Sequence, residues 1–142
     1  MRIAASDGAF LEVTFLGRTW PQATDFWDGN WLNATARASS SGLRGSVDLR
    51  LRVEELQSLS AKLTELHHSH TGQLEFWPME PNLKLTFRAV RTGVLSVYVE
   101  LQPDLAGPAQ MAFELLLDQS DIPSIISQLG ADLAPFPQVG QP

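Results

Sequence analysis

The chain has 142 residues, 44% of them hydrophobic, and carries 10 basic against 16 acidic side chains for a net charge of −6. That length supports one core and is too short for two comfortable domains. The acidic balance argues against general affinity for DNA or RNA, which depends on neutralising phosphates, and the absence of cysteine removes disulfides and thiolate chemistry.

The N-terminal "MRIAASDGAFLEV" lacks the apolar stretch and cleavage site of a signal peptide, and no apolar run is long enough for a membrane span. A cytoplasmic protein is expected, and Asn33-Ala34-Thr35 is then a chance glycosylation sequon. Strand alternation begins at "LEVTF", where Leu11, Val13 and Phe15 oppose Glu12 and Thr14. After "DFWDGNWL" (Asp25 to Leu32), the stretch "LNATARA" puts Leu32, Ala34, Ala36 and Ala38 on one face. "SSSG" at Ser39 to Gly42 predicts a hairpin turn into "LRGSVDLRLR", a third strand.

The period changes at Val53. Val53, Leu56, Leu59, Leu63 and Leu66 step by three or four and define one helical stripe. Glu54 and Glu55 in the first turn and His67 and His68 near the end suit the helix dipole, and Gly72 closes the unit. Four more strands follow at residues 73–77, 83–90, 95–101 and 110–117, the second and third joined by the short "RTG" turn. A second helix starts after "DQS" with Asp118 or Ser120 as cap, Pro123 in its first turn and Ile122, Ile125, Ile126 and Leu129 on its apolar face. Gly130 is expected to end it.

No internal repeat is obvious. The periodicities predict an α+β fold of mainly antiparallel β-sheet, or a flattened sandwich, with about seven strands and two helices, one central and one C-terminal. Residues 1–136 are expected to form a single domain and 137–142 a disordered proline-rich tail.

Motifs for chemistry are sparse. His67, His68 and His70 lack the i, i+4 spacing that converges two rings on a metal, and read as a solvated helix end. Asp25, Asp28 and Glu80 show no sign of a hydrolytic pair, and there is no nucleophile elbow, Walker motif or dinucleotide glycine pattern. No catalytic residue, metal or cofactor is expected.

Trp31 and Trp77 are expected at the core or its edge, whereas Trp20 and Trp27 lie in the loop region. Arg37, Arg44, Arg50 and Arg52 alternate on one sheet face and, with Trp20 and Trp27, form the candidate partner-binding set, arginine and tryptophan being favoured anchors of protein interfaces.

Two unusual stretches each lead directly into a strand. Asp28-Gly29-Asn30 suits positive φ and a tight turn, while Glu80-Pro81-Asn82 must be extended or turning. Asp28, Asn30, Glu80 and Asn82 are expected to form one structural polar clasp between the strand entrances, with Trp31 packed beneath it.

Together with "LRVEELQSLSAKLTEL" and "FELLLDQSDIPSIISQL", these stretches resemble the WapI-like bacterial immunity proteins and their relatives over roughly residues 10 to 130. Asp28, Gly29, Asn30, Trp31 and Leu32 match the first family motif; Glu80, Pro81, Asn82 and Leu83 match the second. The resemblance implies a small cytoplasmic protein that binds and neutralises the toxin domain of a polymorphic or contact-dependent system.

A basic nuclease would suit the acidic balance, with Asp104, Asp118, Asp121 and Asp132 as candidate acidic contributors. The partner expected is therefore a protein, with no direct nucleic-acid or membrane contact, and an edge strand leaves homodimerisation open. The alternatives are a carbohydrate or small-ligand β domain using Trp20 and Trp27, and a hydrolase using the histidines and Glu80.

Overall fold

The computed structural model describes residues 1–142. Four strands, β1 (Arg2–Ala4), β2 (Phe10–Arg18), β3 (Trp31–Ser40) and β4 (Leu43–Arg52), form an antiparallel sheet in sequence order. A four-residue helix α1 (Phe26–Gly29) interrupts the β2–β3 connection, and α2 (Val53–Ser69) follows β4. Strands β5 (Gly72–Phe76), β6 (Leu83–Ala89), β7 (Val94–Leu101) and β8 (Met111–Asp118) form a second antiparallel sheet in order. A 3-10 turn then leads into α3 (Ile122–Leu133). Each half is thus a four-stranded meander closed by a helix, a duplication of architecture that the two unlike sequences conceal. The α+β class and antiparallel sheets agree with the periodicities, with eight strands in place of about seven.

Each sheet buries one face. Leu11 and Val13 of β2 lie with Leu32, Ala34 and Ala36 of β3 on the inner side of the first sheet, and Leu85, Phe87, Val97 and Val99 fill the second. Helix α2 contacts β4, β5 and α3, while α3 reaches β1, and β1 lies against β8. The buried apolar residues of both sheets and both long helices form one cluster of 31. Period-2 and period-3.6 stripes bury together because each covers apolar surface that the other leaves open.

The turns follow their chemistry. Ser41 (φ 51°) and Gly42 (φ 82°) both take positive φ in the β3–β4 hairpin, as a two-residue turn matching strand twist requires. The Asp118 carboxylate accepts from Ser120 N at 2.8 Å and caps the last helical unit.

Three expectations change. Gly29 is absent from the positive-φ residues and Asn30 has φ −100°, so Asp28-Gly29-Asn30 closes a helical turn instead of forming a left-handed one. Gly130 lies inside α3, which runs on to Leu133 because Leu133 continues the packed stripe. Strand β1 is an addition to the expected strands: it is too short to show alternation, since only Ile3 of its three residues is buried. Pairing with β2 holds it, together with the N-terminal ammonium, which donates to Val13 O at 2.8 Å and pairs with Asp132.

The segment after Phe136, expected to lose order, is placed against α1: Arg18 donates to Pro137 O, and Val139 bonds Asn30.

Candidate functional site

Helix α1 is built locally. Asp25 sits in extended conformation, and its carboxylate accepts from Trp27 N and Asp28 N at 2.9 Å each. The bond from Asp28 N foremost holds the Asp25 carboxyl below its ordinary 3.8; desolvation opposes it, and the Trp27 and Asp25 N–H groups add lesser lowering. In the same way Ser120, through its backbone and its side chain, lowers the Asp118 carboxyl.

Asn30 leaves α1 fully buried (0% exposed) with every side-chain function engaged. Its Nδ2 donates to Phe26 O and to Val139 O, and its Oδ1 accepts from Val139 N, each at 2.9 Å. The amide thus reads both backbone groups of one residue, as a neighbouring strand would. Gly29 is required there because a Cβ would collide with the Val139 side chain and stand 2.9 Å from Ala23 O. Arg18 adds donors to Gly29 O and Pro137 O. "DFWDGNWL" is therefore a capped turn of helix that grips the C-terminal segment.

Arg52 is the second hub. It alternates on β4 with the outward residues, yet it is only 4% exposed. Its Nη2 donates to Phe26 O at 3.0 Å and its Nε pairs with Glu54. The guanidinium lies over the rings of Phe26 (5.1 Å), Trp31 (5.3 Å) and Trp27 (5.7 Å). Arg52 is thereby withdrawn from the free surface on which the alternation placed it.

The five clasp residues do not meet as one unit. Asn30 and Trp31 gather around Arg52, while Asp28 stays exposed. Asn82 binds elsewhere: its Nδ2 donates to Gln102 O at 2.9 Å, and its own carbonyl accepts from Gln102 N at 2.9 Å. Glu80 is half-buried and joins neither set. A carboxylate outside that set, Glu55, ties the end of β4 to the segment before β6, accepting from Arg52 N at 3.0 Å and from Met79 N at 2.7 Å. Its place three residues after Arg52, the capping-box position, was the available signal.

On the outer face of the first sheet, Arg37, Arg44 and Arg50 are exposed, with Glu12 near Arg37 at 3.9 Å. Arg50 lies over Trp20 (5.9 Å), an indole 44% exposed. Trp27 is 61% exposed beside Arg52 and meets Phe26 edge-on at 5.2 Å. Because Arg50 and Arg52 are two apart on β4, the pairs Trp20–Arg50 and Trp27–Arg52 share one end of that face. Arg44, six residues from Arg50, lies about 20 Å away along the strand.

Trp77, expected near the core, is 61% exposed with Lys84 Nζ 5.2 Å from its ring. Alternation puts Phe76 inside, and buried Pro78 takes the next inward position. The four candidate acids mostly serve turns and ends: Asp104 accepts from Ala106 N, Asp118 from Ser120 N and Asp121 from Asp118 N, and Asp132 pairs with the N-terminus. His67, His68 and His70 cluster loosely, with ring centroids 5.9 and 6.3 Å from that of His67.

A family model described as "Immunity protein WapI-like family" matches residues 2–137. The chain belongs to that family. No curated protein and no solved structure matches this WapI-like protein. None of its helices is long and apolar enough to cross a membrane. Of the two stretches, the first grips the C-terminal segment, and the second ties the start of β6 to the end of β7.

Proposed function

We propose that this WapI-like protein is a non-enzymatic immunity protein of the cytoplasm. It neutralises a toxin domain by direct binding through the end of the first sheet that carries Trp20, Arg50 and Trp27. The observation that carries the proposal is the placement of two largely exposed indoles, each beside an arginine, on one face of a family member. Buried aromatic and arginine anchors dominate protein interfaces. Arg52 positions Trp27 from below and is itself fixed by Glu54 and Phe26 O. Arg37 and Arg44 extend the same face toward the β3–β4 hairpin. A basic nuclease domain is the partner class that the −6 charge favours, since opposite net charges speed encounter. Neither Trp20 nor Trp27 lines the groove between α2 and β5 or the one beside the N-terminus, which favours a flat protein contact over a sugar site.

Affinity capture from the source lysate, with bound proteins identified by mass spectrometry, tests the proposal. The expected result is one stoichiometric partner carrying a toxin domain, whose expression is tolerated only with this protein present. Trp20→Ala with Trp27→Ala is expected to abolish both capture and protection while leaving the fold intact by circular dichroism. A toxin partner held equally by that double variant refutes the assigned face; recovery of no toxin domain from cells that express candidates refutes the immunity role.

A further inference from the structure

We propose that the groove between α2 and β5 binds an extended, basic segment of a protein partner by strand addition to the open edge of β5. Strand β5 ends the second sheet and pairs only with β6, so about every second residue of Gly72–Phe76 presents N–H and C=O to the other side. That side borders a groove of about 1050 Å³, walled by all of β5 and by one stripe of α2. The stripe, Glu55, Ser58, Lys62, Glu65 and Ser69, steps by three and four residues and so lies on a single helix face. From Glu54 to Ser69 the lining follows α2 for about 22 Å, the reach of a peptide segment. Natural edge strands are commonly guarded by lysine or proline, and "GQLEF" contains neither.

Charge selects the occupant. Glu54, Glu55, Glu65 and Glu75 line the groove against the single cation Lys62. Glu54 is paired with Arg52 and Glu55 accepts backbone N–H groups, whereas Glu65 and Glu75 form no ion pair. A phosphate backbone is repelled by such a lining, and a lysine- or arginine-bearing strand is drawn to it. Glu55 and Glu65 are ten residues apart, about 15 Å along the helix. An extended chain covers that distance in about four to five residues, and residues four apart point the same way. An occupant with two cations separated by three residues can therefore place one at Glu65 and the other toward the Glu54–Glu55 end of the groove. At one end of β5, exposed Trp77 (61%) and Met79 (67%) offer apolar surface to its flanking side chains.

The groove adjoins the Trp27–Arg52 cluster through Glu54, but its test leaves that cluster unchanged and uses no toxin. The probe is a fluorescein-labelled nonapeptide of alternating threonine and valine with two lysines four positions apart, titrated with the full-length protein and followed by anisotropy. Expected is saturable binding that Glu65→Lys with Glu75→Lys weakens at least about tenfold, while a glutamate version of the peptide binds that double variant in preference to the unaltered protein. Both glutamates are exposed, so the variant is expected to keep the parent circular dichroism spectrum. Methylating alternate amides of the peptide is expected to abolish binding for one alternate set and spare the other. Absence of saturable binding at millimolar peptide overturns the proposal, as does binding indifferent to the glutamate changes or to both methylated sets.

Discussion

Replacing Asn30 with alanine removes three hydrogen bonds from a side chain with no exposed surface. Phe26 O keeps a donor, because Arg52 Nη2 also reaches it at 3.0 Å. Val139 loses both partners, but it is only half-buried, and its backbone recovers water once the segment detaches. At about 0.5–1.5 kcal/mol net per bond, plus a small cavity, the expected loss is about 3 kcal/mol. For a chain of this size that lowers Tm by roughly 6–12 °C, measured by circular dichroism at 222 nm.

A double-mutant cycle isolates the cause. In a chain ending at Phe136, Asn30 has only Phe26 O left to bond, and Asn30→Ala is expected to cost about 1 kcal/mol. The difference, about 2 kcal/mol, is the coupling between Asn30 and the C-terminal segment. Hydrogen exchange should show the Val139 amide losing its protection in the full-length Asn30→Ala variant. Coupling within about 0.5 kcal/mol of zero refutes the reasoning that Asn30 acts by gripping the segment. Glu80→Gln serves as the contrast: Glu80 makes no hydrogen bond to either motif, and a change within about 0.5 kcal/mol is expected.

Arg52→Ala should lower stability by about 2–4 kcal/mol in denaturant titration, since it strands Glu54 and uncovers three rings. Arg52→Lys should recover less than half of that, because an ammonium lacks the planar fork that reaches Phe26 O and Glu54 together. Gly29→Ala should destabilise the full chain by roughly 1–3 kcal/mol through overpacking against Val139. It should matter less in the chain ending at Phe136, where only the Ala23 carbonyl still opposes the methyl group. The Asp25 carboxyl lies below its ordinary 3.8 in the folded chain, so its contribution is present above that pH and lost as pH falls through the folded value. Asp25→Asn, which keeps a capping oxygen but not the charge, should flatten the stability–pH slope below pH 3.8 and lose the carboxylate's contribution at neutrality; acid titration of the midpoint temperature checks this.

Local pattern made most of the fold legible. Alternation located seven strands, and the Val53–Leu66 stripe located α2, because each strand or helix buries one face and exposes the other. The Ser41-Gly42 hairpin and the Asp118 cap were legible for a similar reason, since short-range stereochemistry decides them. The loop position of Trp20 and Trp27 was legible from the sequence, whereas their exposure and their places beside Arg50 and Arg52 came only with the structure. Glu55 was visible only as a favourable first-turn charge, although its carboxylate ties Arg52 N to Met79 N, 27 residues apart in the chain.

Sequence by itself determined where seven of the eight strands and the two long helices lie, which faces are apolar, and that two motifs pairing asparagine with a carboxylate stand at strand entrances. Tertiary structure alone decided what those motifs hold. Asn30 meets Val139 across 109 residues, and Asn82 meets Gln102 at the end of the central β6–β7 pair. Arg52 turns inward onto three rings that chain order scatters from Phe26 to Trp31. Periodicity records only whether a side chain faces the core or water. A buried amide needs particular donors and acceptors, and folding selects them from any part of the chain.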